Sequence, residues 1–319
     1  MQPRLKFENQ AGPGEPIRAS RLPQSWINVR KTLRPKLGLV YRDLLMGYAC
    51  LFLGAVYCAK WATPWTTSVG AAWFGFWFHY LFLFLHEAAH YNLHLDRVVN
   101  DRIANLFIGS LFFQDISSYR QVHWAHHQNH GTTKDTENTY FNALTPGFLI
   151  RCFFMYHAFK SVMNRRKYTR ARSASSEKSG QFFSMIFTHG AVWGLGFYFH
   201  ALLFVVSWYA GLFLFFPLIS SLRQVLEHRD PEASKRTDFY LVNHGARTYT
   251  FDPSLFAKFF GAAGFYRHLL HHWDPSVSYT LFDEMEEVVS KEQLGNELNK
   301  SRTSYFRRLF QHIKCGLLS

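Results

Sequence analysis

Residues 68–90 read SVGAAWFGFWFHYLFLFLHEAAH. The first part, residues 68–85, carries no Asp, Glu, Lys or Arg, and it is close to the roughly 20 residues a helix needs to cross a bilayer core. The last part places His86 and His90 four residues apart, on one face of that same helix. An apolar helix that delivers two imidazoles to its own end decides the reading: a polytopic all-α protein with a metal site at the membrane surface.

Three more apolar stretches appear at residues 43–60, 182–203 and 208–226. With residues 68–85 they predict four transmembrane helices in two hairpins, the first turning at Trp61–Thr67 and the second near Ser207–Gly211. Buried helices of a soluble protein are the competing reading, but such clustering of Phe and Trp without charge is uncommon there. Mean hydropathy is near zero (−0.13) because these stretches alternate with basic ones.

Of the 35 Lys and Arg, 9 lie in residues 1–42, 12 in residues 91–180 and 13 in residues 221–319, whereas the short connections hold only Lys60. The positive-inside rule therefore puts both termini and the long central segment in the cytoplasm. The net charge of +13 belongs mostly to one membrane face, and no motif supports a nucleic-acid partner. Residues 165–180, RRKYTRARSASSEKSG, read as a solvated basic loop.

The expected organisation is a cytoplasmic arm over residues 1–40, a membrane domain over residues 41–285 and a cytoplasmic tail over residues 286–319. Ser25–Arg42 could lie at the headgroups as an amphipathic helix, or be a solvated linker. Ile103–Phe113 is apolar but too short to cross, and reads as a re-entrant or interfacial helix. The arm is proline-rich with no apolar signal core, so insertion is expected to rest on the first span. Cys50, Cys58, Cys152 and Cys315 form no CxxC pair and suggest neither a disulfide framework nor a thiolate metal site.

Seventeen histidines are present, and their spacing carries the chemistry. His123, His126 and His127 stand at i, i+3 and i+4; His268, His271 and His272 repeat that pattern. Neutral imidazole suits iron, copper, nickel and zinc alike. Eight clustered histidines exceed what one four-coordinate zinc accepts, but suit two metals in a helical cap on the cytoplasmic side. His228 is a ninth candidate at the end of the fourth span, and Gln224 lies one turn behind it. His94 and His130 are set aside, the first for a surface or supporting role and the second as an orienting or turn-capping residue. His79, His157, His189, His200, His244 and His312 have no clustered partner.

HEAAH is also the pattern of zinc metalloproteases, in which Glu87 would be the general base. That reading leaves both HxxHH clusters idle. A carboxylate-bridged di-iron bundle needs two Glu-x-x-His motifs, and only Glu87 with His90 fits. A structural zinc or metal-storing membrane protein is a further alternative.

The order HEAAH, YRQVHWAHHQNHGTTKDTE (119–137), QVLEHRDP (224–231) and HLLHHWDP (268–275) resembles the membrane fatty acid desaturase family over about residues 40–285. The stretch HEAAHYNLHLDRVVNDRIANLF (86–107) is similar to its rhizobitoxine-type branch. The resemblance implies two non-haem iron ions held by His86, His90, His123, His126, His127, His228, His268, His271 and His272, with O2 as co-substrate. It implies supporting roles for Glu87 and Asp135. Gln224 stands where some members have asparagine at a water-mediated position.

The implied reaction is O2-dependent desaturation of an acyl chain or acyl-lipid in the membrane, with a hydroxylase or ketolase on the same scaffold as the near alternative. A non-catalytic metal-binding membrane protein is the alternative from another class. The chain has no His-Pro-Gly-Gly haem signature, no CxxC iron site and no GxGxxG fingerprint, so electrons are expected from a separate ferredoxin or cytochrome b5 type carrier. A bacterial inner membrane is the expected location.

Overall fold

Proline and apolar runs set the framework. The computed structural model describes residues 22–157, 159–160, 163 and 177–318; most of the expected arm and of the basic loop at 165–180 lie outside them. Helix α1 (Gln24–Thr32) ends before Pro35, and α2 (Leu37–Lys60) follows. Pro64 occupies the first turn of α3 (Pro64–Ala89), whose start is closed by a reciprocal Thr63–Thr66 capping box.

Next come α4 (Arg97–Ile103), a π-helical turn at Ala104–Ile108 and a 3-10 turn at Gly109–Phe112. The expected short helix at Ile103–Phe113 is thus helical but irregular. Helices α5 (Ile116–Asn129), α6 (Pro146–Phe153) and α7 (Glu177–Tyr198) precede α8 (Leu202–His228). Among the described residues beyond α8, five further α-helices follow: α9 (Leu255–Phe260), α10 (His268–Trp273), α11 (Phe282–Ser290), α12 (Leu294–Ser301) and α13 (Tyr305–Leu318). The only strands among the described residues are β1 (Thr250–Phe251) and β2 (Arg302–Thr303), a parallel pair.

Among the described residues three helices, α2, α3 and α8, are long and apolar enough to cross a membrane. Large apolar side chains stand on the outer surface of α2 and α7, with Phe52 67% and Phe187 78% exposed, as lipid-facing residues would be. The expected stretch at residues 182–203 is helical over most of its length within α7, but Gln181, His189 and several glycines dilute the apolar character of that helix.

The second hairpin turns earlier than its sequence suggests. The expected turn at Ser207–Gly211 lies inside α8, and the chain reverses at Phe199–Ala201, where His200 takes a left-handed conformation (φ 51°). Residues 198–215 contain no proline and no charge, so composition does not mark the turn. Gly211 continues the helix because it meets α3 closely: a Cβ there would sit 2.5 Å from Phe74 Cβ and 2.9 Å from the Ala71 carbonyl oxygen. A π-helical turn at Gly211–Phe215 follows, a feature frequent at functional sites.

The remaining helices gather where α3 and α8 end. Trp26 of α1 is fully buried with Leu270, Trp273, Met285 and Leu298. Its indole N–H donates to Asp274 Oδ2 (3.0 Å), and Arg30 donates to both oxygens of the same carboxylate (2.9 and 2.7 Å). From the other direction Tyr305 stacks on Phe251 at 3.7 Å, and the buried Arg308 donates to the Leu226 carbonyl (3.2 Å) and to that of Arg229. Segments from both ends of the chain therefore brace the elements that carry the histidines.

Candidate metal centre

Four helix ends converge. The last turn of α3 supplies His86 and Glu87, and His90 caps it. Helix α5, started by the Asp115 carboxylate accepting from Ser118 N–H, carries His123, His126 and His127. Helix α8 ends on Glu227 and His228, and α10 contributes His268, His271 and His272.

All nine histidines singled out from sequence meet here, in two groups. Ligand nitrogens of His86, His90, His123, His127 and His271 lie within 4.8 Å of one another. So do those of His126, His130, His228 and His272, while Glu227, His228 and His268 form a third set by the same limit. His268 Nε2 lies 3.0 Å from His228 Nε2 and 3.2 Å from His272 Nε2, which joins the last two sets into one cluster. The two clusters are adjacent, with the His127 and His272 rings 4.8 Å apart.

Outer partners fix which nitrogen faces inward. His123 Nδ1 lies 3.0 Å from Glu137 Oε1, His126 Nδ1 2.8 Å from Asp135 Oδ1, and His228 Nδ1 3.1 Å from the Arg247 carbonyl oxygen. Bonding at Nδ1 leaves Nε2 as the donor atom for a metal, the usual arrangement behind ligating histidines. Asp135 thus stands behind His126, and Gln224 stands further back, its Nε2 donating to Glu137 Oε2 at 3.4 Å. Glu87 Oε2 accepts instead from Asn92 Nδ2 (3.2 Å) and Tyr279 N–H (3.4 Å); its Oε1 is 3.8 Å from His86 Nδ1, beyond a hydrogen bond.

The donor set fits a metal pair. Within the first cluster Nε2 atoms approach one another at 2.8 Å (His90 and His123), 2.9 Å (His123 and His127) and 3.1 Å (His127 and His271). Lone pairs aimed at common points in this way have cations as their natural partners. His86 Nε2 is buried with no hydrogen-bond partner among the described residues. Burial, reinforced by the surrounding histidines, holds His90, His127, His271 and His272 well below the usual histidine pKa, so these rings are neutral, the ligating form. Burial would lower His126 as well, but the Asp135 carboxylate outweighs it and raises the pKa.

Three participants escape the sequence reading. His130, set aside there, joins the second cluster; its spacing from His126 is the same i, i+4 that marks His86 and His90. Glu137 and Glu227 are also present, the latter paired with Arg223 and accepting from the Tyr305 hydroxyl at 3.0 Å. Only their closeness in sequence to Asp135 and His228 could have drawn attention to them. His94 lies apart, accepting from Asp96 N–H at 3.0 Å, and His79 ties Ser220 to the Phe260 carbonyl.

A cavity of about 220 Å³ opens beside the first cluster. Phe82, Phe112, Leu212, Phe213 and Phe216 give it apolar walls, and His86, Tyr119 and Glu137 belong to its lining as well. The π-helical turn of α8 supplies Leu212 and Phe213, so the irregularity of that helix shapes the cavity.

The profile of the family described as fatty acid desaturase matches residues 59–299, well over half of the chain. No curated protein matches the sequence.

Proposed function

The chain belongs to the fatty acid desaturase family, and from that premise we propose that it is an O2-dependent di-iron desaturase of an acyl chain or acyl-lipid. The observation that carries this reading is the pairing of two histidine clusters with an apolar-walled cavity that touches one of them. His86, His90, His123, His127 and His271 would hold one iron; His126, His228, His268 and His272 would hold the other. When bound, the iron pair supplies the oxidant that an unactivated C–H bond requires.

The protein's own part is binding, orientation and exclusion of water. Phe82, Phe112, Phe213 and Phe216 favour an alkyl chain by burying its methylenes, at about 0.8 kcal/mol for each CH2. His86 sets which carbons lie against the centre, because it belongs both to the cavity lining and to the first cluster. Glu137 and Asp135 hold the Nδ1 protons of His123 and His126, keeping Nε2 free for metal. Overall, removal of two hydrogens from adjacent carbons and reduction of O2 to two waters consume two further electrons and two protons. A separate ferredoxin or cytochrome b5 type carrier would deliver the electrons.

The hydroxylase or ketolase reading draws on the polar residues Thr139, Ser220 and Gln224, which share the cavity lining and could hold an oxygenated product. For topology, α7 has 22 residues, about 33 Å of helix, and serves as the third of the four spans, ahead of α8. In the proposed topology the termini and the metal centre lie on the cytoplasmic side, supported by the Lys and Arg asymmetry along the sequence, and the proposed location is a bacterial inner membrane.

Expression in a host with a known lipid profile tests the reaction. New alkenes in the host acyl chains, with O2 consumption that depends on added substrate, are the expected result. Oxygenated products would favour the rival chemistry, and a metal-loaded protein with no substrate-dependent O2 uptake would overturn both.

A further inference from the structure

We infer that His130 is a metal ligand, the fifth imidazole of the second cluster and one more than the nine that the family resemblance implies. The inference rests on reading the centre as a two-metal site and uses nothing about the reaction. His130 is only 6% exposed, and neither ring nitrogen has a hydrogen-bond partner among the described residues. A buried imidazole with both nitrogens unpaired gives up its hydration for nothing unless some partner is present.

The geometry names that partner. A ring nitrogen of His130 lies within 4.8 Å of those of His126, His228 and His272. Its ring centre is 4.5 Å from both His228 and His272 and 5.1 Å from His126. The ring has therefore joined the space these three share.

Backbone, not side-chain bonding, puts it there. Helix α5 ends at Asn129, and Gly131 turns the chain at φ 77°, a conformation that favours glycine. The Gly131 N–H donates to the Tyr140 hydroxyl (2.8 Å), and its carbonyl accepts from Gly245 N–H (2.9 Å). A turn held from two sides fixes the direction of the preceding side chain. With His130 counted, and His268 joined to it through His228 and His272, each cluster holds five imidazoles.

The test uses full-length protein in detergent, stripped of metal and titrated with Co(II), whose visible spectrum reports its ligands. Wild-type protein should bind about two Co(II) per chain. His130→Ala and His130→Gln should retain one site and weaken the other by more than about tenfold, the loss that even an outer partner of a ligand can cause. The spectrum of the weakened site should change. In His130→Gly, added imidazole should restore both affinity and spectrum, a rescue that a purely structural residue would not show. His94→Ala, at a half-buried histidine outside the centre, should match wild type.

Variants that bind two Co(II) with wild-type affinity and spectrum would overturn the assignment. So would variants that lose both sites equally with no imidazole rescue. Activity enters none of these comparisons, so failure of the proposed reaction would show separately, as wild-type protein holding two metals without O2-dependent turnover.

Discussion

Asp135 accepts three hydrogen bonds at short range: from His126 Nδ1 at 2.8 Å, from the Tyr140 hydroxyl at 2.6 Å and from the Glu137 N–H at 2.8 Å. It sets the His126 ring and, through Tyr140, supports the turn that follows His130. Asp135→Asn keeps the shape but weakens the pull on the His126 Nδ1 proton, so metal affinity should fall by about 10- to 100-fold. Competition with a chelator would measure this, and an unchanged affinity would refute the role. At this scale the sequence was most legible for residues that repeat a helical spacing, since i, i+3 and i+4 imidazoles must share a face. Glu137 and Glu227 were not legible, because nothing in a linear pattern says which carboxylate will fold back onto a histidine nitrogen. His130 had the right spacing from His126 but sits just beyond the last turn of α5, where spacing alone does not fix direction.

Between helices, α10 is held by its contacts with α1. Its residues His271 and His272 lie immediately before Trp273 and Asp274, and that carboxylate is bonded by Trp26 and Arg30 of α1. Trp26→Ala should destabilise the protein by about 3–5 kcal/mol and accelerate metal release, read by thermal unfolding in detergent and by chelator kinetics; wild-type behaviour in both would contradict the bracing role. On α8, Gly211→Val would drive side-chain atoms into Phe74 and the α3 backbone, an overpacking cost of about 1–3 kcal/mol. A melting temperature equal to wild type would argue against so close a crossing. The helices themselves were visible as apolar runs, but the turn at Phe199–Ala201 was not, because the chain on either side is equally apolar. The π-helical turn has no compositional mark either; it follows from packing against α3.

Over the whole molecule, hydropathy and charge made the membrane character readable, while the bracing of the centre by both ends of the chain was hidden. Contacts such as Trp26 with Asp274 span most of the sequence, and no local pattern encodes them. The proposed topology predicts that a phosphatase fused after residue 62 or residue 200 will be active outside the cytoplasm, whereas fusions at either terminus will be inactive; the opposite pattern would invert the account. The proposed docking of an acidic electron carrier on the basic cytoplasmic face should weaken as salt rises, because exposed charges are screened beyond about 10 Å at 0.1 M; carrier affinity independent of ionic strength would refute it.

These histidines are proposed to hold two metals through imidazole nitrogen. Elemental analysis with X-ray absorption of the iron-loaded protein tests it most directly. About two irons per chain, in a first shell dominated by imidazole and free of sulfur, is the predicted result; a single metal, or a shell lacking imidazole, would contradict it.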